Sequence, residues 1–172
     1  MTERKNRAIK YCAYSLLLVL LYILQTSRGT SVSVFGIRPD VIPFFVAAAA
    51  LFDGPYAGGL FGFFAGLLCA VSSPAIDGLS ALYLGFAGTV CGVVSRRYMR
   101  KVLPSALLLG AVIVLVQGVL SYVFYYALLY SAPLGYSAAA LLGQCALSLV
   151  PGAAVYWAVR AMYLRFAEKD EA

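Results

Sequence analysis

Apolar residues along the chain form long runs that are separated by short segments rich in Gly, Pro and charged residues. Six such runs predict six helices, over residues 9–25, 39–52, 56–71, 78–94, 104–130 and 136–162. The second to fourth runs are shorter than the roughly 20 residues that cross a typical hydrocarbon core. We expect them either to cross a locally thin region or to be shielded by the longer helices. The pattern predicts an all-α integral membrane protein with six transmembrane helices in one polytopic domain, residues 1–172.

Composition agrees with membrane embedding. Hydrophobic residues make up 63% of the chain and charged residues 12%, against roughly 25% charged residues in a soluble domain. The formal net charge of +6 would suggest nucleic-acid binding in a soluble protein. In a membrane protein it reflects Lys and Arg that are concentrated in cytoplasmic segments. We therefore expect no nucleic-acid partner.

The basic residues predict how the six helices are oriented. All but two of the 13 Lys and Arg residues fall in clusters that six crossings place on one side: Arg4, Lys5, Arg7, Lys10, Arg96, Arg97, Arg100, Lys101, Arg160, Arg165 and Lys169. Cytoplasmic segments carry the excess of positive charge. Both termini are therefore expected in the cytoplasm, with only Arg28 and Arg38 on the other side. Five crossings would move the C-terminal cluster outside and fit the charges less well.

Two short motifs mark helix boundaries. The sequence DGP at residues 53–55 predicts a tight turn, after which Pro55 starts the next helix. The sequence RPD opens the second run, and we expect Pro39 in the first helical turn and Asp40 at the positive end of the helix dipole. Arg38 can stay among the headgroups or pair with Asp40. This motif is the predicted extracytoplasmic edge of the second helix and a candidate partner contact.

Regularly spaced glycines are the most informative pattern inside the runs. One stripe on the third helix consists of Gly58, Gly62 and Gly66. A second stripe, on the fourth helix and in line with Ala81, consists of Gly85, Gly88 and Gly92. Helices in lipid associate through small residues that let their backbones approach closely. Both stripes are predicted to make close helix contacts, either within the chain or with the transmembrane helix of a partner.

Candidate chemistry is sparse. The chain has no His, and its seven Asp and Glu residues are scattered without the spacing of paired carboxylates or a metal site. The four cysteines lie in apolar runs without metal-ligand spacing and are expected to be buried free thiols: Cys12, Cys69, Cys91 and Cys145. Gln25, Gln117 and Gln144 are expected to form hydrogen bonds between helices. We expect no catalytic site, no metal and no cofactor.

The segment RRYMRK at residues 96–101 is the most strongly charged surface feature that the sequence predicts. Its basic members are Arg96, Arg97, Arg100 and Lys101. Such a loop can set topology by contacting anionic lipid headgroups. It can equally serve as the docking point of a cytoplasmic protein, and the two roles are compatible.

The order of these features resembles the rod shape-determining MreD family of bacteria. The similarity is carried by "LYILQTS", by "FGIRPDVIPFFVAAAALFDGPYAGGLFGFFAGLL" and by "GLSALYLGFAGTVCGVVSRRY", between Gln25 and Arg97. The resemblance implies a non-catalytic scaffold subunit of the cell-elongation complex in the bacterial cytoplasmic membrane. It implies a bitopic MreC-like shape protein as partner and, through it, the actin-like filament and the peptidoglycan synthases.

The resemblance also implies a fold, and with it an alternative function. The family's fold is similar to that of the substrate-binding subunits of energy-coupling-factor vitamin transporters, which also have six short helices. Such a subunit is the alternative reading, although the first run lacks the alanine pair with which these subunits often meet their transporter. The chain departs from the MreD pattern at Ala70, where family members commonly carry an acidic residue.

Overall fold

The computed structural model describes residues 2–26, 39–72, 79–99, 101–121 and 134–167. All regular structure within these ranges is α-helical. The helices are α1 (Thr2–Thr26), α2 (Ile42–Asp53), α3 (Pro55–Ser72), α4 (Leu79–Tyr98), α5 (Leu103–Ser121) and α6 (Leu134–Ala167). Each of them overlaps one of the six predicted runs. Residues 122–130, which were predicted to continue the fifth run, lie outside the described ranges.

Three helices are long and apolar enough to cross a membrane, over the stretches Ile9–Thr26, Leu103–Leu120 and Gly143–Arg165. Two further helices are apolar but shorter, at Ile42–Asp53 and Pro55–Val71. The 12 residues of α2 extend over about 18 Å, well below the ~30 Å of a typical hydrocarbon core.

The short helix α2 occupies the centre of the bundle. Every side chain from Ile42 to Phe52 is buried, and all five other helices pack around it. The sequence left two possibilities for the short runs, and α2 is shielded, although by the short runs α3 and α4 as well as by the longer helices. An exposed short helix would leave polar ends in the hydrocarbon, and a shielded one does not.

The ends of α2 define two ends of the whole bundle. We call them the Asp40 end, at the start of α2, and the Asp53 end, at its last residue. The α1 helix runs antiparallel to α2, because Lys10 contacts Asp53 and Gln25 contacts Asp40.

The remaining helices continue this alternation. The start of α3 lies at the Asp53 end, because a Cβ atom at Gly58 would lie 2.9 Å from the Cα of Ala50. The α4 helix returns to this end, where the Oγ of Ser95 donates a hydrogen bond to the carbonyl of Ala50. The α5 helix starts at the Asp53 end and carries Gln117 to the Asp40 end. Ser148 of α6 lies at the Asp40 end, and later residues of α6 return to the Asp53 end.

Aromatic rings fill the centre of the bundle where glycines leave room. The buried Phe44 ring sits between α5 and α6. A Cβ atom at Gly110 would lie 2.8 Å from its Cε1 atom, and one at Gly152 would lie 2.6 Å from its Cδ1 atom. Two further rings of the core, Phe45 and Phe61, meet edge to face with centroids 6.1 Å apart, a favourable arrangement of aromatic quadrupoles. The sequence analysis did not single out Gly110 or Gly152.

The boundary between α2 and α3 matches its prediction. Gly54 adopts φ 90°, and its N–H donates a hydrogen bond to the Ala50 carbonyl at 3.0 Å. The α3 helix starts at Pro55. Glycine is favoured at residue 54 because side chains rarely adopt this positive φ. A Cβ atom would also lie 2.7 Å from the guanidinium of Arg96, but this end of a flexible side chain can move aside.

The predicted start of α2 is wrong by three residues. The helix begins at Ile42, and the proline in its first turn is Pro43, not Pro39. The backbone N–H groups of Asp40 and Val41 donate to side chains of other helices, at 2.8 and 3.3 Å. These contacts hold the segment outside the helix, so the helix starts after it.

Candidate functional site

A polar cluster surrounds the carboxylate of Asp40. The Nε2 of Gln25 donates to Oδ1 at 3.0 Å, and the Nε2 of Gln117 donates to Oδ2 at 3.4 Å. The backbone N–H of Asp40 donates to the Oγ of Ser148 at 2.8 Å. We call Asp40, Gln25, Gln117 and Ser148 the Asp40 cluster. It connects the start of α2 with α1, α5 and α6.

Two members of the cluster make further bonds that fix their position. The Oε1 of Gln25 accepts the N–H of Val41 at 3.3 Å, so this side chain bridges two groups at the start of α2. The Oγ of Ser148 donates to the carbonyl of Gln144 at 2.7 Å, and its side chain is fully buried. A polar group in the interior is costly unless it is bonded, and these bonds satisfy most of the cluster. The Oε1 of Gln117 is buried and has no hydrogen-bond partner within the described residues.

The sequence analysis identified the glutamines as hydrogen-bonding residues, but it did not predict that two of them meet at one carboxylate. Gln25 and Gln117 were expected to bond between helices, and both do so through one carboxylate. Gln144 enters only through its backbone carbonyl. Arg38, the sequence's candidate partner for Asp40, lies outside the described residues. The available signal was that the first run ends in an amide, Gln25, and that the next acidic residue, Asp40, opens the second run.

A second polar cluster lies at the Asp53 end. Lys10 of α1 forms an ion pair with Asp53, and their side chains are only 15% and 9% exposed. The Nζ of Lys101 donates to the Phe52 carbonyl at 3.1 Å and to the Tyr163 hydroxyl at 3.2 Å. We call these five residues the Asp53 cluster. Two ammonium groups at the C-terminus of α2 complement its negative dipole end.

The Tyr163 ring organises this second cluster. The ammonium of Lys10 lies 4.5 Å from the ring centroid, and that of Lys101 lies 4.6 Å from it. Both distances are within the range of cation–π attraction. The hydroxyl of Tyr156 also donates to the backbone carbonyl of Lys101 at 3.2 Å. The C-terminal part of α6 is thus fastened to α1 and to the segment before α5.

The described basic residues of the predicted loop, Arg96, Arg97 and Lys101, are all exposed, and two of them also contact the bundle. Arg96 packs its guanidinium over Gly54, and Lys101 belongs to the Asp53 cluster. Arg97 is exposed, and Arg100 lies outside the described residues. Reasoning from charge alone correctly treated the described members as surface groups, but it did not anticipate the contacts that Arg96 and Lys101 make with the bundle.

The glycine stripes of α3 and α4 lie against each other. A Cβ atom at Gly58 would lie 2.6 Å from the Gly88 carbonyl oxygen, and one at Gly62 would lie 2.9 Å from the Leu84 carbonyl carbon. These atoms belong to the backbone and have no freedom to move aside. Gly66 faces the start of α4 in the same way, with a Cβ position 2.7 Å from the Ala81 nitrogen.

The two remaining glycines of the stripes, Gly92 and Gly85, differ in how much space surrounds them. A Cβ atom at Gly92 would lie 2.8 Å from the Gly54 carbonyl carbon, whereas one at Gly85 would approach nothing closer than the Phe63 side chain at 3.3 Å. Gly85 therefore has more room than the other five predicted glycines. The stripes form contacts between helices of this chain, so only the outer faces of α3 and α4 remain accessible to a partner.

Within the described ranges, no group of three or more Cys, Asp or Glu side chains could hold a metal ion. The four thiols are free, Cys12 being exposed, Cys91 buried and the other two intermediate. The expectation of buried thiols is therefore wrong for Cys12, because its face of α1 points away from the bundle.

The geometry of the two polar clusters gives them a structural role: they hold α1, α5 and α6 against both ends of α2.

Relationships to known proteins were sought at the levels of family, sequence and structure. The scan against protein-family models, the search of the curated proteins and the search of the solved structures found no match to this chain.

Proposed function

We propose that this chain is a non-catalytic, multi-pass scaffold subunit of the bacterial cytoplasmic membrane, of the rod shape-determining MreD kind. Its role is to bind partner proteins of the cell-elongation complex and so to support cell shape and lateral peptidoglycan synthesis. The single observation that carries the membrane part of this proposal is an apolar outer surface. The partner part rests on the resemblance of the segment between Gln25 and Arg97 to that family.

Large apolar side chains point outward on all five helices that surround α2. Examples are Leu16 on α1, Phe86 on α4 and Val150 on α6, with 70%, 71% and 79% exposure. A water-soluble bundle would turn such side chains inward, since burying one is worth about 1.5–3 kcal/mol. An apolar exterior around an apolar centre is the arrangement that lipid favours.

The proposed topology has six crossings, with α2 as a shielded central helix. Lys10, Arg96 and Lys101 all lie at the Asp53 end, where α1 begins and α6 ends. The positive-inside rule assigns this end to the cytoplasm. The Asp40 cluster then lies toward the extracytoplasmic side, and the exposed Arg97 is free to meet headgroups or a cytoplasmic protein.

The proposed partner is a bitopic MreC-like protein, which connects this chain to the actin-like filament and the peptidoglycan synthases. Two residues within the resembling segments, Gln25 and Asp40, contact each other. Their contact fixes the extracytoplasmic edge at Pro39 and Asp40, so that a partner meets a rigid surface there. The glycine stripes are occupied internally, so partner helices meet the outer faces.

One observation favours a second candidate function. Four polar residues converge at the Asp40 end, more than the sequence suggested. A substrate-binding subunit of an energy-coupling-factor vitamin transporter would carry polar groups there. In this chain those groups bond mainly to each other, which favours the scaffold over the transporter subunit.

Co-expression with a bitopic MreC-like protein tests the two candidates. The affinity-tagged chain is purified in mild detergent, and native mass spectrometry records what it retains. We expect the MreC-like protein to be retained without any vitamin. An unrelated single-span protein, co-expressed in parallel, is the control and should be lost. A stoichiometric vitamin with no retained MreC-like protein would replace the scaffold by the transporter subunit.

A further inference from the structure

We propose that the centre of the Asp53 end, where Arg96 and Lys101 fold over the end of α2, is a docking site for an acidic segment of a cytoplasmic protein. The groups that it recognises are carboxylate side chains. The inference rests on the proposed function, which places the Asp53 end in the cytoplasm. It assigns a partner chemistry to two residues of the basic loop and separates them from Arg97, which lies at the edge of the bundle.

The end of α2 lies in the middle of this face of the protein. All five other helices pack around α2, and the axes of packed helices lie about 8–10 Å apart. A lipid headgroup beside the bundle is therefore separated from the end of α2 by the width of a helix. Side chains that fold over this end are reached from the cytoplasm and not from the surrounding lipid.

Arg96 covers the turn that follows α2. A Cβ atom at the buried Gly54 would lie 2.7 Å from Nε, 2.7 Å from Nη2 and 2.9 Å from Cζ. The remaining nitrogen, Nη1, is therefore on the side of the guanidinium that faces away from the turn. Among the described residues, Arg96 has no hydrogen-bond or ion-pair partner, and it is exposed. Its outward N–H groups are available to a carboxylate, the anion that a guanidinium binds most specifically.

Lys101 supplies a second cation at the same helix end. Its Nζ donates to the Phe52 carbonyl at 3.1 Å and to the Tyr163 hydroxyl at 3.2 Å. An ammonium group has three N–H donors, so these two bonds leave one N–H for a partner. The two bonds also hold the ammonium in place, which lowers the entropy that a partner must remove when it binds.

Positive charge exceeds negative charge at the end of α2. Three cations, Lys10, Arg96 and Lys101, contact residues 52–54. Asp53 is the one acidic side chain that the structure describes at this end, and Lys10 already pairs with it. The two exposed cations are therefore left without a described counter-ion. Complementary charge orients protein partners and selects among them, and a segment with several carboxylates fits this site.

Arg97 lies on a different side of α4. It continues the exposed row of Phe86, Val90 and Val93 at steps of three to four residues, so it stands above the lipid-facing side of the helix. An arginine in this position meets anionic headgroups. Arg96 is one residue earlier, turned by about 100° around the helix axis. Two neighbouring arginines of one loop thus serve different partners.

Binding of an acidic peptide tests this inference. The full chain is placed in nanodiscs of neutral phosphatidylcholine, and fluorescence anisotropy records the binding of fluorescein-labelled hexaglutamate, with labelled hexaglutamine as the control peptide. We expect only hexaglutamate to bind, and we expect Arg96→Gln to weaken its binding about tenfold. Arg97→Gln removes the same charge from the next residue and should change the affinity by less than about twofold. Equal losses in the two variants, or no binding to the wild type, would overturn the inference.

A conservative variant separates lost charge from lost structure. Arg96→Lys keeps a cation at the same position, and we expect it to bind hexaglutamate more tightly than Arg96→Gln does. If the two variants bound equally weakly, the charge of residue 96 would not be the cause and the inference would fail.

Two further measurements identify the occupant of the site. Replacing Glu168, Asp170 and Glu171 by their amides removes the acidic residues that follow α6 in the sequence. We expect the affinity for hexaglutamate to stay within about twofold, and a gain of about tenfold would instead make these residues the occupant. Native mass spectrometry from nanodiscs that also contain phosphatidylglycerol records retained lipid. We expect Arg97→Gln to reduce this retention, whereas a loss only in Arg96→Gln would assign the central site to lipid and overturn the inference.

The co-expression experiment described above reports the proposed function separately. A chain that retains the MreC-like protein but does not bind hexaglutamate refutes only this inference. A chain that binds hexaglutamate but does not retain the MreC-like protein refutes the proposed partner.

Discussion

Replacing Gly88 with alanine is expected to destabilise the protein by about 1–3 kcal/mol, the usual cost of forcing extra atoms into a packed contact. A Cβ atom at Gly88 would lie 2.7 Å from the carbonyl carbon of Gly58. Relief requires α3 and α4 to separate, because the opposing atoms belong to the backbone. Separation would also weaken the neighbouring contact of Gly62 with Leu84. Gly62→Leu should be more damaging still and should prevent the hairpin from closing.

Gly85→Ala is the matched control for this prediction. The same methyl group is added to the same helix, one turn away, and the change in intrinsic helix propensity is the same, about 1 kcal/mol in favour of alanine. At Gly85 the nearest atom is the Phe63 Cβ at 3.3 Å, so a small adjustment is sufficient. Thermal unfolding in one detergent should therefore rank Gly85→Ala at or above the wild type and Gly88→Ala below it. Equal unfolding temperatures would show that the close approach of α3 and α4 is not as described.

Asp40→Leu is expected to have the second large effect. The substitution removes the acceptor for Gln25 and Gln117 and leaves two amide donors in the interior. Each unsatisfied buried group costs about 1–3 kcal/mol. Asp40→Asn keeps a side-chain oxygen that can accept from one of the two amides, so we expect its loss to be about half as large. The comparison isolates hydrogen bonding, because both variants lose the charge.

A triple variant tests whether the three residues act as a unit. Leucine at residues 25, 40 and 117 removes the two amide donors and their acceptor together, and replacing both sides of a hydrogen bond by apolar groups can be nearly neutral. The N–H of Val41 loses its Gln25 acceptor in this variant, so part of the cost remains. We expect the triple variant to be more stable than Asp40→Leu alone. Chemical unfolding of the wild type, the triple variant and the three single variants Gln25→Leu, Asp40→Leu and Gln117→Leu gives the coupling energy. If the losses were simply additive, the Asp40 cluster would not be a cooperative network.

Much of the helical architecture could be predicted because lipid imposes simple rules. Backbone groups in hydrocarbon must bond internally, so long apolar runs become helices. The turn at Gly54 and Pro55 was recognisable because its chemistry is local. The glycine stripes of α3 and α4 were recognisable because their spacing of three to four residues places them on one helix face. None of these features requires knowledge of distant contacts.

The central position of α2 could not be predicted. In a soluble protein, a helix that is hydrophobic all round is identified as buried. In this chain nearly every run is apolar all round, so the signal does not distinguish a central helix from one that faces lipid. The run of small residues from Ala47 to Ala50, which lets neighbours approach closely, was the only local hint.

The two polar clusters were missed for a related reason. Gln25 and Gln117 lie far apart in sequence, and nothing in their local surroundings says that both reach Asp40. The pairing of Lys10 with Asp53 likewise depends on how α1 and α2 pack. The positive-inside rule groups the basic residues on one side of the membrane. It does not reveal which of these side chains interact with the end of a helix, as Lys10 and Lys101 do at the end of α2.

Cysteine accessibility tests the central claim, a six-crossing bundle with its Asp53 end in the cytoplasm. In a variant without the four native cysteines, single cysteines replace Thr26 at the Asp40 end, Tyr98 at the Asp53 end and Leu16 on the outer face of α1, all exposed. Spheroplasts of a bacterial host are treated with a membrane-impermeant maleimide. We expect labelling at residue 26 in intact spheroplasts, at residue 98 only after permeabilisation, and none at residue 16. The reverse pattern, or labelling of residues 26 and 98 from the same side, would contradict the account.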